Sequence, residues 1–428
     1  MKDYFPRITD DLLSLYLECS GAVLIEGPKW CGKTTTAKQL AKSVVELGDP
    51  DNEEYLRLAS ISPSLLLDGP APRLIDEWQI VPKLWDSVRT TIDKRGGFGH
   101  FILTGSASPL LKGSDKRVHS GTGRISRLIM RPFSLYESKD SSGQVSLKAL
   151  FSGQEDISAS KGMNIEELAF ICCRGGWPEV CIAENMSERA QLTASKSYVE
   201  AICSNEVELD ENVVYNREKM ARFLHSYARA VGSQCSISNM VKDLSSSESS
   251  YLSDKTAYAY LNLLQSIFAV ENMPAWNPNL RSRTAIRTSD TRYFSDPSIA
   301  VASLGIGPGN LLNDLQTFGF IFENLCIRDL RVYSSIIDGN VFHFRDKNNL
   351  ECDAVVHLSK GKYGLIEIKL GGNDAIEHGV KSLLKLSESI DDSKMGKPSF
   401  LMVLVGVGTY AYRRPDGVFV VPINLLGP

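Results

Sequence analysis

Eight residues near the start of the chain, Gly27-Pro28-Lys29-Trp30-Cys31-Gly32-Lys33-Thr34, constrain the fold more than any other feature. They fit G-x-x-x-x-G-K-[ST] and lie between the apolar run AVLIE and a helical pattern opened by Thr35. Two glycines let such a loop wrap tightly, so that successive backbone N–H groups turn inward. With the positive end of the following helix they form a cradle for phosphate oxygens. Lys33 adds a point charge at the β and γ phosphates of a nucleotide, and Thr34 offers a hydroxyl to a magnesium ion. Gly27 to Thr35 are the expected nucleotide-binding set, ATP and Mg2+ the expected ligands. The strand–loop–helix order is the opening of an α/β fold with a parallel sheet.

A phosphate cradle needs a second half, an apolar strand that ends in an acid. Arg73-Leu74-Ile75-Asp76-Glu77 supplies it, with Asp76 expected to hold the magnesium ion through water and Glu77 to polarise the attacking water. Phe101-Ile102-Leu103-Thr104-Gly105-Ser106 is a further strand, ending in small hydroxyl residues at the edge where open α/β sheets bind ligands. Thr104 and Ser106 are therefore candidates to contact the γ-phosphate or the attacking water. Arg124 in GTGRISRL and Arg131 before Pro132 are candidates for an arginine that neutralises transition-state charge, within the chain or across an oligomer interface.

At 428 residues the chain exceeds what one core supports, so several domains are expected. Hydrophobic residues at 43% and charged residues at 23% exclude disorder and fibrous repeats. With a net charge of -4, any nucleic-acid surface has to be a local basic patch. Nine cysteines, scattered without a C-x-x-C pair, predict reduced thiols and a cytoplasmic setting. MKDYFPRITDDLL carries no secretory pattern, and no run of ~18 apolar residues suits a membrane span. Strand and helix patterns alternate through the first segment, and the Ser- and Gly-rich stretch 138–160 reads as a surface loop or linker. Helical periodicity dominates 164–275; a helix and then strand-type runs follow from about 290. The expected domains are 1–160, 161–285 and 286–428.

The motifs GPKWCGKTTTA, LIDEWQIVPKLWDSVRTTID, HFILTGSAS, GTGRI, RPFSLYE and GGWPE, in that order, resemble prokaryotic AAA-type ATPases that carry a C-terminal domain of unknown function related to restriction-endonuclease folds. The resemblance spans nearly the whole chain. It implies an AAA-like core, a winged-helix middle segment and an α/β nuclease-like end. Position by position it makes Lys33 the ATP-binding lysine and Asp76 and Glu77 the Walker B acids, with Gln79 at the polar position that follows. Trp78 departs from the smaller aliphatic residue usual there, which bears on local packing.

In the middle segment a helix from 218, a short helix near Ser236 to Leu244 and a long helix from Lys255 suit a winged helix-turn-helix. The last of these carries few positive charges, so protein packing competes with groove reading. Arg281, Arg283, Arg287 and Arg292 form a basic stretch able to grip phosphates or to serve as a solvated linker. Near the end, Glu367 and Lys369 share one face of the strand GLIEIKL. Asp353 and Glu367 can share a hard divalent ion while Lys369 orients the attacking water, an arrangement that resembles the D…E-x-K set of restriction-type nucleases. Glu323 is a further candidate ligand, and Glu351 competes with Asp353 on the same strand face. Two functions follow: an ATP-driven enzyme acting on DNA or RNA, or an ATP-dependent switch or oligomeric scaffold that binds a protein partner through an inactive nuclease-like domain.

Overall fold

The computed structural model describes residues 4–105, 121–204, 215–244, 252–277, 289–347 and 350–428. Two compact units divide the chain: residues 1–132 with 266–268, and 133–265 with 269–428.

The first unit runs α1 (Ile8–Cys19), β1 (Ala22–Glu26), α2 (Lys33–Leu40), β2 (Ser43–Glu46), α3 (Glu53–Ile61), β3 (Arg73–Asp76), α4 (Leu84–Arg95), β4 (Phe101–Thr104) and β5 (Ile125–Ile129). All strand pairings are parallel, in the order β2-β3-β4-β1-β5. Strand β1 is buried along its whole length, as expected of a strand covered on both faces. Because β4 lies between β1 and β3, Thr104 stands in register with both Ile25 and Asp76. Three strand ends thus meet at one edge. Beneath them Trp78 packs on Trp85, ring centroids 5.0 Å apart, within a core that includes Leu24, Ile75, Val88 and Leu103. The unusual tryptophan is therefore a core anchor.

The second unit continues with β6 (Val145–Ser146), α5 (Leu147–Phe151), β7 (Ala159–Ser160), α6 (Ile165–Arg174), α7 (Pro178–Cys181), α8 (Glu188–Ser204), α9 (Arg217–Arg229), α10 (Ile237–Leu244), α11 (Asp254–Ser266), α12 (Pro297–Leu304), α13 (Pro308–Asn313) and α14 (Leu315–Ser335). There follow β8 (Gly339–Arg345), β9 (Glu351–Leu358), β10 (Tyr363–Lys369), α15 (Asn373–Ser389), α16 (Asp392–Met395), β11 (Phe400–Val405), β12 (Tyr410–Arg413), β13 (Phe419–Pro422) and β14 (Leu426–Gly427). A mixed sheet takes the order β7-β12-β13-β11-β10-β9-β8. Within it β8, β9 and β10 are antiparallel neighbours, and β10, β11 and β13 run parallel. After α11, residues 270–273 bridge antiparallel to 291–294.

Stretch 138–160 is not a detached linker. Strand β6 pairs with β14 and β7 with β12, while Leu147 and Leu150 are buried. The compact units divide at residue 132, ahead of the boundary at 160 that composition suggests.

Two of the short motifs meet at a buried ionic knot. Arg328, its side chain 1% exposed, pairs with Asp296 at 2.8 Å and Asp329 at 2.7 Å, both fully buried. Asp296 also accepts from the Gly176 N–H (2.9 Å), and Asp329 from the Leu135 N–H (2.9 Å) and the Tyr333 hydroxyl (3.2 Å). Ser298 donates to Asp296 at 2.6 Å and accepts from the Trp177 indole at 3.0 Å. A side chain at Gly175 or Gly176 would overlap Asp296 or the Phe133 carbonyl, so only glycine permits this approach. RPFSLYE and GGWPE therefore build packing around a charge cluster.

Candidate nucleotide-binding site

The loop between β1 and α2 closes against the end of β5: a Cβ at Gly27, where φ is 155°, would overlap the Met130 carbonyl. Gly32 caps α2 in the left-handed region, and Trp30 enters the same region at φ 68°. Glu77, directly after β3, does so at φ 55°. Two non-glycine residues in this region, each at a cost of about 1–3 kcal/mol, flank one strand edge, a placement typical of functional strain.

Lys33 is 6% exposed and donates to the carbonyls of Gly27 (2.9 Å) and Pro28 (2.8 Å). Its ammonium thus lies inside the loop, where the β and γ phosphates are expected. Thr34 Oγ1 donates to Asp76 Oδ1 at 2.8 Å, and Thr104 Oγ1 donates to the same oxygen. A hydroxyl and a carboxylate this close offer the hard oxygen ligands magnesium prefers, so the donor set fits the ion. The Gln79 amide donates to Glu77. Pro28 and Cys31 are buried in the loop; Lys29, Trp30 and Thr35 are exposed along its outer side. Ser106 lies outside the described residues.

Arg124 is not brought to this site. It precedes β5 at the edge where β1 begins, six residues or roughly 20 Å from the phosphate loop at about 3.3 Å per residue, and pairs with Asp93 at 2.8 Å. Arg131 follows β5 at the loop's own edge. Sequence reasoning missed two residues altogether. Arg7, buried, donates to the carbonyls of Cys31 and Arg131, both at 2.7 Å, and Tyr4 lies 2.7 Å from Asp10 and 3.1 Å from Thr36. An arginine ahead of the first strand has no pattern that separates it from a solvated one; the only local signal is Asp10, which accepts from the Arg7 N–H at 2.8 Å.

If Glu77 polarises the attacking water, Glu77→Gln, which keeps the shape of the side chain and removes its charge, should leave ATP affinity within about threefold while kcat falls by about 10²-fold. Phosphate release with parallel binding titrations measures this; unchanged turnover would remove Glu77 from the chemistry.

In the second unit, Lys369 Nζ lies 2.6 Å from Glu367 and 3.0 Å from Asp353, and Asp353 also accepts from the Ile368 N–H at 2.7 Å. Glu323 on α14 accepts from the Tyr293 hydroxyl. Burial, and then the charge of Asp353, push both Glu323 and Glu367 well above the usual carboxylate range. Burial pulls Lys369 down, but Asp353 and Glu367 outweigh it and hold the ammonium charged. Glu351 instead pairs across to Arg345 on β8 at 2.9 Å, while Asp353 lies with Glu367 against Lys369. Among the described residues no group of three or more histidine, cysteine or acidic side chains is arranged around a metal position. Of the basic stretch, Arg292 donates to the Cys235 carbonyl at 3.1 Å; Arg281, Arg283 and Arg287 lie outside the described residues.

Residues 20–139 match the family model of the AAA domain. With the parallel five-stranded sheet and the loop geometry, this match supports an AAA-type P-loop ATPase domain, and with it ATP binding and hydrolysis. Residues 165–310 and 318–426 match two further families, each a domain of unknown function, DUF8612 and DUF4143. Over 405 residues the chain is 25% identical to uncharacterized protein Rv2008c of Mycobacterium tuberculosis and to uncharacterized protein Mb2031c of Mycobacterium bovis, covering 94% of this chain and 80% of each relative. Among solved structures, the Aeropyrum pernix ORC1 protein in complex with DNA aligns at 12% identity and a TM-score of 0.24, over 71% of this chain and 94% of that one. A signal transduction ATPase with numerous domains from Pyrococcus horikoshii aligns at 14% identity and 0.21, over 79% and 50%. Scores at this level carry no argument about fold. Among the described residues no helix is long and apolar enough to cross a membrane.

Proposed function

We propose that ATP turnover at Lys33, Asp76 and Glu77 drives a metal-dependent enzyme acting on the phosphodiester backbone of DNA or RNA through Asp353, Glu367 and Lys369. The observation that carries this reading is the convergence of those three side chains from adjacent strands, with the lysine between the two acids. An all-oxygen carboxylate pair fits a hard divalent ion, which when bound would polarise the scissile phosphate and its attacking water. Asp353 and Glu367 would hold that ion, and Lys369 would orient the water. The antiparallel β8–β10 and parallel β11, with α14 and α15 packed on them, support a restriction-endonuclease-like fold for this end. Helices α9, α10 and α11 followed by the 270–273/291–294 ribbon support a winged-helix middle segment. Nine free cysteines suit a cytoplasmic setting, and any finger role for Arg124 would be exercised on a second copy of the chain.

A specific observation favours the second reading, a switch or scaffold that binds a protein partner. Glu367 is only 4% exposed, and Lys369 is tied to both acids. The full chain with ATP and magnesium or manganese is expected to cut single- or double-stranded DNA or RNA, with a loss of about 10²-fold in Asp353→Ala and Lys369→Ala while ATP turnover persists. No cleavage with either metal on any of these substrates would leave the switch.

A further inference from the structure

The three-residue 3-10 turn Trp78–Ile80 follows Glu77 directly and carries Gln79. Glu77 takes a left-handed backbone, which folds the chain back and brings the side chains of Glu77 and Gln79 together, and buried Trp78 anchors the turn on Trp85. Gln79 Nε2 donates to Glu77 Oε2, which fixes the amide orientation. Its other end, Oε1, is buried, and among the described residues it has no hydrogen-bond partner. That oxygen faces Gly105, directly after Thr104, where a Cβ would come within 2.5 Å of it. A buried acceptor left unsatisfied costs about 1–3 kcal/mol, so one that a native structure keeps calls for an explanation, a catalytic role or a bound water among them.

We infer that Gln79 is a positioning residue that orients the attacking water together with Glu77, and that Gly105 is glycine to leave room for its Oε1. This rests on the proposed ATP hydrolysis and adds a residue to it. The water directs one O–H to Glu77 and the other to Gln79 Oε1, which aims its lone pair at Pγ. Its oxygen bonds to Pγ as the bond from Pγ to the β–γ bridging oxygen breaks, and ADP leaves with that electron pair. The first proton passes to Glu77, and the second remains on the inorganic phosphate. Since a carboxylate has about four acceptor positions, the Gln79 amide and the water can be held by Glu77 at the same time.

The test uses the full chain and two readouts, turnover and nucleotide affinity. Gln79→Ala should lower kcat by about tenfold with KM and ATP affinity within twofold of wild type. Gly105→Ala should do the same by displacing Oε1, and the double variant should be no slower than either single one, because both remove one contact. The affinity for ADP with aluminium fluoride, which holds an in-line water, should fall about tenfold in Gln79→Ala, while the affinity for ADP with beryllium fluoride stays unchanged. A kcat within twofold of wild type, additive losses, or equal losses for both analogues would overturn the inference while leaving ATP hydrolysis standing. A wild-type chain that binds ATP without turning it over would instead sink the proposed hydrolysis, and the role of Gln79 with it.

Discussion

Lys33→Ala is expected to lower kcat/KM for ATP by about 10³-fold and to weaken ATP binding itself, the largest effect at the nucleotide site. The ammonium is already withdrawn from water, satisfied by the Gly27 and Pro28 carbonyls. Its desolvation is therefore met in folding, and an arriving triphosphate exchanges two neutral acceptors for anionic ones. Charge-assisted hydrogen bonds are roughly twice as strong as neutral ones, so the exchange favours the ligand, and more so as charge accumulates in the transition state. Alanine removes this and leaves the two carbonyls turned toward phosphate. Calorimetric titration and phosphate release measure both effects. If a folded Lys33→Ala protein kept its ATP affinity within threefold, the loop would be only a glycine turn capping α2.

The largest effect on stability should come from Arg328→Ala. Asp296 and Asp329 are fully buried, and the guanidinium is their shared counter-charge. Removing one partner of a buried pair costs about 3–5 kcal/mol, a large part of the roughly 5–15 kcal/mol that holds a domain together. Calorimetry should show a transition lower by about 10 °C. Replacing all three charges together, as Arg328→Met with Asp296→Asn and Asp329→Asn, should cost less than the single change, because no buried charge is then left alone. A single variant that melts within 2 °C of wild type would show that water reaches the cluster and screens it.

What could be read in the sequence was what is local. The phosphate loop, the acids after β3 and the small residues after β4 each lie within one strand–turn unit, and parallel βαβ repetition brings those strand ends to a single edge. Which edge Arg124 occupies could not be read from its motif, because the motif carries no strand direction. A residue that precedes a parallel strand stands at the far edge from the ligand, and Ile125↔Ala22 places it there. The choice between Glu351 and Asp353 was closed to sequence because alternation gives both the same face; the cross-strand partner Arg345 separates them. Pairing of β6 with β14 was unreadable for another reason. Two-residue strands carry no period, and their partners lie some 280 positions apart.

Arg7 bears on what counts as a module in this chain. The region shared with other AAA domains begins at residue 20, yet the side chain that fastens Cys31 to Arg131 comes from residue 7. A recombination event, or an experimenter, cutting at the shared boundary would carry off the phosphate loop without its fastening. The segment recognisable by ancestry leaves out the side chain that ties the phosphate loop to the end of β5. Grafting this ATPase onto another protein would have to carry Arg7 along, and homologues that exchange only the common portion should come with a replacement for the missing arginine.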